Sequence, residues 1–471
     1  MKLLLVEDDQ NFLEVIRVTI RDVLQEREIT VCKSRDAAFE AIGANIFDFA
    51  VLDLKIPASD GSITAEIEHG RAVYQHLRAN SPGTPICWLT AFGTEDFIAD
   101  LLNEADRADI WGSGNPSPLV RMLPKKRVNE LTALVKEVST EIAALEDVEV
   151  ISELGLTALD NRVLRIHGRR NQSGSLVVNE LSGGFSDIRV LKVIGRDRKG
   201  IENFVCAARL GSQDVIHKEI ENYKRDVTRL PNGTFSVLTG EVFYGAGPFA
   251  GVFYRLIPVF RSFFAVLEDD PKQAVKIVNR LREIQAIWTA GQPQAQVQIR
   301  ELRRALLTDA EIESLRSNLN GLDWQAFENR TVNVPFGAQH GDLHGDNILV
   351  GDMGEPVLID FSRVGRAPTC LDPLTIEMSL LFHRTGKVIS AGWPTEQNLL
   401  HWDDVNAFAH NSTAAEVIVQ LRQWASDNAQ GRRALYATAY GLAVRQLKYA
   451  DTDKSFVSKI VESILAAMSK T

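Results

Sequence analysis

Short apolar runs separated by helical patterns dominate the first part of the chain. Residues 3–6, 50–54 and 85–89 have the length and unbroken apolar character of buried strands. Residues 12–24 and 37–42 instead repeat apolar side chains at helical spacing. Strands that alternate with helices indicate a parallel sheet covered on both faces. We therefore expect an α/β doubly wound domain at the N-terminus.

One helix face then stands out between residues 128 and 145. Its apolar residues recur at alternating steps of three and four: Val128, Leu131, Val135, Val138, Ile142 and Leu145. The repeat is too short to indicate a coiled coil by itself. Two interpretations stay open. The helix packs on the preceding sheet, or its end beyond Val138 continues outward and pairs with a second subunit or docks on the next domain.

The pattern changes again after residue 153. Strands are predicted at 164–166, 175–179, 188–193, 204–208 and 252–257, with a helix at 216–227. Residues 264–321 and most of the chain after 371 are helical in pattern, and 348–350 with 356–359 form a hairpin. A small sheet followed by many helices indicates an α+β bilobal domain. The predicted segments are 1–127, a connector at 128–152, an N-lobe at 153–258 and a C-lobe at 259–471.

Charge supports a boundary near residue 150. The 471 residues carry a net charge of −10, but residues 1–150 hold 15 basic and 26 acidic groups, whereas the remainder holds 37 and 36. Neither part is basic, which argues against a nucleic-acid partner. The first apolar run is too short for a signal peptide, and no apolar stretch is long enough to span a membrane. Four scattered cysteines are expected to be free thiols in a cytoplasmic protein.

Acidic residues follow the predicted strands of the first domain. Glu7 and Asp8 come after the first strand and Asp53 ends the next, while Thr90 and Lys125 follow later strands. In a parallel sheet these positions meet at one edge. Three gathered carboxylates repel one another unless a hard cation such as Mg²⁺ is bound. A carboxylate beside Mg²⁺ can then accept a phosphoryl group, with the hydroxyl and ammonium holding its oxygens.

With these residues, the segment 1–145 resembles a response-regulator receiver domain. The resemblance implies that Asp53 accepts the phosphoryl group from a sensor histidine kinase. It also implies that the acidic pair binds Mg²⁺ together with Asp53 and the backbone carbonyl of Lys55, and that Thr90 and Lys125 are switch residues. Two segments, 58–69 and 111–118, look inserted. Met122 stands where the family often has an aromatic switch residue, and Trp111 is a candidate substitute.

Two stretches of the second part suit nucleotide binding. In LSGGFSDIRVLKV (181–193), Ser182, Gly183 and Gly184 lie in a predicted hairpin turn whose backbone N–H groups could meet phosphate oxygens. In GVFYRLIP (251–258), Tyr254 and Leu256 lie in a predicted connector between lobes, where backbone groups could receive an adenine.

The stretch QHGDLHGDNILV (339–350) carries the strongest chemical signal. Asp342 and Asn347 precede one strand of the predicted hairpin, and Asp360 follows its partner strand, so the three oxygens can converge. Phosphoryl transfer needs one carboxylate to orient the acceptor hydroxyl and further oxygens to hold Mg²⁺ against the phosphates. Most of the catalysis is positioning and charge neutralisation.

HGDLHGDN followed by IDFS resembles the catalytic segments of aminoglycoside phosphotransferases and choline kinases, over residues 153–471. The resemblance implies that Asp342 is the catalytic base, that Asn347 and Asp360 bind Mg²⁺, and that ATP is the cofactor. The family's phosphate-holding lysine is replaced by Arg209, with Glu219 as its candidate partner. Lys192 could supply an ammonium instead.

Two functions remain open from the sequence. The first is a response regulator whose receiver controls an ATP-dependent phosphotransferase acting on an unidentified hydroxyl acceptor, with a possible homodimer through the connector helix. The second is a non-catalytic pseudokinase that binds nucleotide or a protein partner. The substitution at Arg209 favours the second, since Arg and Lys are not equivalent, and the complete Asp342, Asn347 and Asp360 set favours the first.

Overall fold

The chain forms two compact units. The computed structural model describes residues 1–62, 64–91, 107–182, 188–256, 260–390 and 392–471. One unit comprises Met1–His217 and Val237–Ile257, and the other comprises Lys218–Ser236 and Pro258–Thr471. The predicted receiver and most of the predicted N-lobe therefore share one unit.

The elements of the first unit follow the predicted alternation and then become strand-rich. In chain order they are β1 (Leu3–Val6), α1 (Gln10–Ile20), β2 (Ile29–Cys32), α2 (Arg35–Ala44), β3 (Phe49–Leu52), β4 (Ile56–Pro57), β5 (Ala65–Glu66), α3 (Ile67–Asn80), β6 (Ile86–Thr90), β7 (Arg107–Ala108), β8 (Ser117–Pro118), β9 (Val120–Pro124), α4 (Leu131–Glu146), β10 (Glu149–Ile151), α5 (Ala158–Arg170), β11 (Ser175–Ser182), β12 (Arg189–Arg196) and β13 (Glu202–Ser212). Helix α6 (Gln213–Arg225) begins in this unit and ends in the other, and β14 (Leu238–Val242) and β15 (Phe249–Arg255) complete the first.

The first sheet is parallel, as predicted, with strand order β2-β1-β3-β6-β9. Its central strands are buried along their whole length, which suits strands covered on both faces. The Asp9 side chain caps α1 by accepting from the N–H groups of Asn11 and Phe12, and Ser34 caps α2. The doubly wound fold is confirmed, and each of the two predicted insertions, 58–69 and 111–118, contains one strand of a small ribbon, β5 of β4–β5 and β8 of β7–β8.

The second sheet has the order β10-β11-β12-β13-β15-β14 and is antiparallel except for the β10–β11 pair. Because side chains alternate along a strand, the sheet has two distinct faces. One face packs on α5 and belongs to the same apolar core as the first sheet, through Leu176, Val178, Leu191, Val193, Cys206, Ala208, Leu210 and Phe253. The two sheets are thus parts of one folded body.

One predicted strand is wrong. Residues 164–166 lie within α5, not in a strand. Three adjacent apolar residues fit either element by length, but Val163 and Ile166 are buried at helical spacing and Thr157 caps the helix start by accepting from the Asp160 N–H. The structure also adds a strand, Gln294–Gln298, within the segment 264–321 that was predicted to be helical.

The second unit is mainly helical. In chain order it contains β16 (Arg261–Ser262), α7 (Phe263–Asp269), α8 (Pro271–Thr289), β17 (Gln294–Gln298), α9 (Ile299–Arg304), α10 (Asp309–Leu315), α11 (Trp324–Glu328), β18 (Thr331–Gln339), β19 (Ile348–Val350), β20 (Pro356–Leu358), β21 (Gly365–Pro368), α12 (Leu371–Phe382), α13 (Arg384–Ile389), α14 (Glu396–Leu399), α15 (Val405–Ala409), α16 (Ala415–Ala429), α17 (Arg432–Arg445) and α18 (Lys454–Ser469). Short 3₁₀ turns lie at Glu26–Glu28, Lys125–Glu130, Val227–Arg229, Arg316–Leu319, Gly345–Asn347 and Gln446–Lys448.

Two buried helices form the centre of this unit. Every residue of α12 is buried, and α17 is buried from Ala434 to Arg445. A helix that is buried on all sides lies in the middle of a core rather than at its surface. The predicted hairpin is present as β19–β20, with Ile348 opposite Leu358. In the part of the chain that the structure describes, no helix is both long and apolar enough to cross a membrane.

Candidate functional site

Three carboxylates meet at the carboxyl edge of the first sheet. Glu7 and Asp8 follow β1, and Asp53 follows β3. One oxygen from each lies within 4.8 Å of the others, which makes this the one acidic cluster with metal-site spacing among the described residues. Glu7 and Asp53 are buried, whereas Asp8 is exposed. The chemistry of this donor set suits Mg²⁺, because the ligands are oxygens and one side is open to water.

Lys125 joins this cluster. Its Nζ lies 2.6 Å from Glu7 Oε2 and 2.8 Å from Asp53 Oδ2, and 4.6 Å from the centre of the Phe12 ring. Burial raises the pKa of Glu7 to about 7, even though Lys125 acts in the opposite direction. Burial lowers the pKa of Lys125, but its hydrogen bonds to Asp53 and Glu7 outweigh this, so the pKa is raised overall. The Lys125 ammonium therefore offsets part of the electrostatic cost of burying the Glu7 and Asp53 carboxylates.

The other predicted receiver residues differ in how exposed they are. Thr90 ends β6, and its side chain lies outside the described residues. Lys55 is exposed, two residues beyond Asp53. Met122 is exposed in β9, whereas Trp111 is buried and its backbone carbonyl accepts a hydrogen bond from Arg169. The aromatic candidate for the switch thus lies against helix α5.

Asp372 fixes the backbone of the loop that contains Asp342. This carboxylate is fully buried on α12 and accepts from the backbone N–H groups of His340, at 2.7 Å, and Gly341, at 3.0 Å. Gly341 has a φ of +81°, and a Cβ there would lie 2.4 Å from the Arg363 carbonyl oxygen, so only glycine fits. The His340 ring contacts the Ile359 carbonyl oxygen at 2.8 Å, which ties the loop to the segment containing Asp360.

Asp342 itself forms ion pairs with two arginines. Arg445 Nη2 lies 3.1 Å from Oδ1, and Arg363 Nε lies 3.7 Å from Oδ2. Burial raises the pKa of Asp342, but Arg445, Arg363 and His344 together outweigh it and hold the pKa below its usual range. The Asn347 side chain donates to the Asp342 backbone carbonyl at 2.8 Å. Asp342 is thus an ionised carboxylate that can orient a hydroxyl.

Asp360 has an unusual backbone. Its φ is +63°, in the left-handed region that a non-glycine residue adopts at a cost. Its Oδ1 accepts from the Ser362 hydroxyl at 2.8 Å, and the Ile359 N–H donates to the Asn347 carbonyl at 3.1 Å. A backbone hydrogen bond therefore joins the Asn347 and Asp360 segments at the base of the β19–β20 hairpin, while the convergence of the three side-chain oxygens stays a prediction.

Three of the predicted nucleotide-binding residues lie on one face of the second sheet. Lys192 lies opposite Ala207 in the strand register, Ala207 lies opposite Tyr254, and Arg209 lies opposite Val190. By strand alternation, Lys192, Arg209 and Tyr254 point away from α5. Arg209 and Tyr254 are buried and Lys192 is partly buried.

The remaining predicted nucleotide residues are placed as follows. Ser182 ends β11, while its side chain and the residues Gly183 and Gly184 lie outside the described residues. The N–H of Leu256 donates to the Val205 carbonyl at 3.2 Å, so this group is already engaged. Glu219 is buried on α6, in the part of that helix that belongs to the second unit.

Sequence reasoning missed Arg445. It lies on α17, 103 residues from Asp342, and its side chain is buried. Asp346, in the same loop as Asp342, also has polar contacts. Its Oδ2 accepts from the Thr385 hydroxyl at 3.3 Å and lies 3.8 Å from His383 Nε2. The sequence carries no signal that places Arg445 beside Asp342, because the burial of α17 is visible only in the structure.

Comparison with known protein families gives one match. Residues 264–387 match the model of the Phosphotransferase enzyme family, a segment that includes Asp342, Asn347 and Asp360. The chain matches no curated protein sequence. Among solved structures, it is similar to a thermostable mutant of the aminoglycoside phosphotransferase APH(4)-Ia in complex with ADP and hygromycin B, with 11% identity, a TM-score of 0.38, and coverage of 62% of this chain and 95% of the other.

Two further solved structures complete the comparison. Choline kinase LicA from Streptococcus pneumoniae has 11% identity, a TM-score of 0.34, and coverage of 63% of this chain and 94% of the other. The receiver domain of the Francisella response regulator 1452 has 22% identity, a TM-score of 0.22, and coverage of 30% of this chain and 98% of the other. By its own topology the chain begins with a five-stranded parallel sheet, and the segment 264–387 of its second part matches the phosphotransferase family model.

Proposed function

We propose that this protein is a response regulator in which phosphorylation of Asp53 controls an ATP- and Mg²⁺-dependent phosphotransferase. The observation that carries the enzymatic part is the grouping around the β19–β20 hairpin. Asp342 is an ionised carboxylate, and the Asn347 and Asp360 segments are hydrogen-bonded to each other. This arrangement suits a phosphoryl transfer in which positioning and charge neutralisation provide most of the rate.

The roles of the individual residues follow from this proposal. Asp342 orients the acceptor hydroxyl, and Asn347 and Asp360 hold Mg²⁺. Lys192 and Arg209, which share one face of the second sheet, are the cations proposed for the ATP phosphates. The acceptor is a hydroxyl compound whose identity the site residues do not specify.

Binding and turnover test the enzymatic part separately. Calorimetry on the full chain with Mg²⁺ and a non-hydrolysable ATP analogue should show binding that Asp360→Ala weakens by at least about 10-fold, because metal-site residues typically contribute this much. The control Asp352→Ala removes an exposed acid at the tip of the same hairpin and should leave binding unchanged. No binding to wild type would refute the proposal.

A pseudokinase is the second candidate, favoured by Arg209 in place of lysine. ATP turnover distinguishes the two, since a phosphotransferase loses turnover on Asp342→Asn while it still binds nucleotide. Binding without turnover in the wild type would favour the pseudokinase.

The receiver part has its own basis and its own test. Glu7, Asp8 and Asp53 fit Mg²⁺, with the Lys55 carbonyl as a further proposed ligand, and Lys125 already contacts the Asp53 carboxylate. A sensor histidine kinase is the proposed phosphodonor. Beryllofluoride with Mg²⁺ should form an adduct on wild type but not on Asp53→Asn, as seen by ¹⁹F NMR. An adduct that persists in Asp53→Asn would exclude Asp53 as the acceptor.

A further inference from the structure

Four arginines anchor helix α5 to the receiver segment 1–127 and to the connector 128–152. Arg162 Nη2 lies 3.0 Å from Asp48 Oδ1, and Arg165 Nε donates to the Val148 carbonyl at 3.0 Å. The remaining two bind a carboxylate and a backbone carbonyl each: Arg169 contacts Glu141 at 2.6 Å and the Trp111 carbonyl at 3.1 Å, and Arg170 contacts the Asp109 carboxylate at 3.1 Å and its carbonyl at 3.0 Å. Such bonds from charged groups are stronger than neutral ones.

Close packing accompanies these polar contacts. A Cβ on Gly112 would lie 2.3 Å from the Ile166 carbonyl oxygen, so the receiver backbone touches the α5 backbone. A Cβ on Gly251, in the second sheet, would lie 2.5 Å from Val163 Cγ1, and the His167 ring stacks on Phe253 at 3.5 Å between centroids. A helix packed this tightly against both the receiver and the second sheet cannot shift without moving its neighbours.

The start of α5 is tied to β12. Asp160 is fully buried, and its Oδ2 accepts from the N–H and hydroxyl of Thr157 and lies 3.4 Å from Arg189 Nε. Arg189 also donates to the Gly155 carbonyl at 2.9 Å. Arg189 is the first residue of β12, three residues before Lys192. The same helix therefore holds the receiver and the start of a strand with a proposed phosphate-binding cation.

The receiver surface involved lies away from the phosphoacceptor. Asp48 precedes β3, whereas Asp53 follows that strand, and Asp109, Trp111 and Gly112 lie between β7 and β8. Helix α4 adds Glu141, and its apolar seam is buried within this unit. The first half of α4 contacts the receiver, since the Thr132 hydroxyl donates to the Thr19 carbonyl at 2.9 Å, and its second half contacts α5 through Glu141.

We propose that α5 is the output element of the receiver. A change at Asp53 that repositions α4 or the β7–β8 segment (107–118) moves α5. The movement of α5 in turn shifts β12 and Lys192. The receiver then acts as part of the N-lobe body and does not work by undocking from it. The effect on nucleotide affinity rests on the proposed function, whereas the coupling of α5 and β12 to Asp53 does not.

Hydrogen exchange on the full chain tests the coupling directly. With Mg²⁺ present, beryllofluoride should change the exchange of peptides covering 157–170 and 189–196, and Asp53→Asn should abolish both changes. The dissociation constant for a non-hydrolysable ATP analogue should change by about 5-fold or more, and linkage requires the reciprocal change in beryllofluoride affinity.

A variant at the α5–β12 contact locates the path. Arg189→Gln should keep the exchange response of α5 but lose that of β12 and the change in nucleotide affinity. The control Arg198→Gln, an exposed arginine just beyond the other end of β12, should retain all three responses. If an adduct forms on wild type and neither α5 nor β12 responds, the proposal is wrong. If both respond but no nucleotide binds, the coupling stands and the proposed phosphotransferase function fails.

Discussion

Without bound metal, the unfolding free energy of the first unit should depend on pH through Glu7. The carboxyl is 1% exposed, and burial raises its pKa from 4.5 to about 7. The folded state therefore holds this proton more tightly than the unfolded state does. The contribution of Glu7 to the unfolding free energy is highest below pH 4.5 and falls as the pH rises through the range up to about 7.

The size of the effect follows from the difference in pKa. One pKa unit corresponds to about 1.4 kcal/mol, so the shift of Glu7 corresponds to about 3 kcal/mol of unfolding free energy. For a unit of this size, 1 kcal/mol changes Tm by about 2–4 °C. Wild type should therefore lose about 6–12 °C more than Glu7→Gln between about pH 4.5 and about pH 8, because the amide does not titrate.

Scanning calorimetry of the full chain with a chelator measures this difference. The transition that Glu7→Gln alters identifies the first unit, and Mg²⁺ should reduce the pH dependence of wild type by replacing the bound proton. Glu14→Gln, an exposed glutamate on α1, is the matched control and should follow wild type. Parallel pH curves for wild type and Glu7→Gln without metal would refute the reasoning.

Three further predictions concern the buried polar groups. Burial lowers the pKa of His167 to about 3, so its contribution to the unfolding free energy is complete above pH 6.5 and is lost as the pH falls, at about 1.4 kcal/mol per pH unit. His167→Phe should reduce this pH dependence of the unfolding free energy in urea titrations, and an unchanged pH dependence would contradict the prediction. Arg445→Met and Asp342→Asn should show a coupling of about 1–3 kcal/mol in a double-mutant cycle, because they form a direct ion pair, whereas additive effects would exclude a structural role for the pair. Asp372→Asn should destabilise the second unit by about 1–3 kcal/mol, since one of two backbone N–H groups loses its acceptor, and an unchanged thermal melt would contradict this.

The sequence pattern predicted a feature wherever that feature depends on residues within one strand, one hairpin or one edge of a sheet. The apolar runs at β1, β3 and β6 predicted buried parallel strands, because both faces of those strands are covered. The spacing of Asp342, Asn347 and Asp360 around a hairpin predicted their proximity, because a two-stranded turn brings its ends together by itself. The acidic edge of the receiver was predictable for a similar reason, since parallel strands end at the same edge.

Other features depended on contacts between distant segments. Residues 164–166 were misassigned because three apolar residues fit a strand or a buried helix, and only packing between two sheets selects the helix. Arg445 carries no local signal towards Asp342, since their proximity depends on how the buried helix α17 packs. The sequence by itself determined the strand alternation, the acidic edge and the placement of Asp342, Asn347 and Asp360 around one hairpin. Only the tertiary structure decided that the receiver and the N-lobe sheet share one core through α5, because that choice depends on burial summed over residues far apart in the chain.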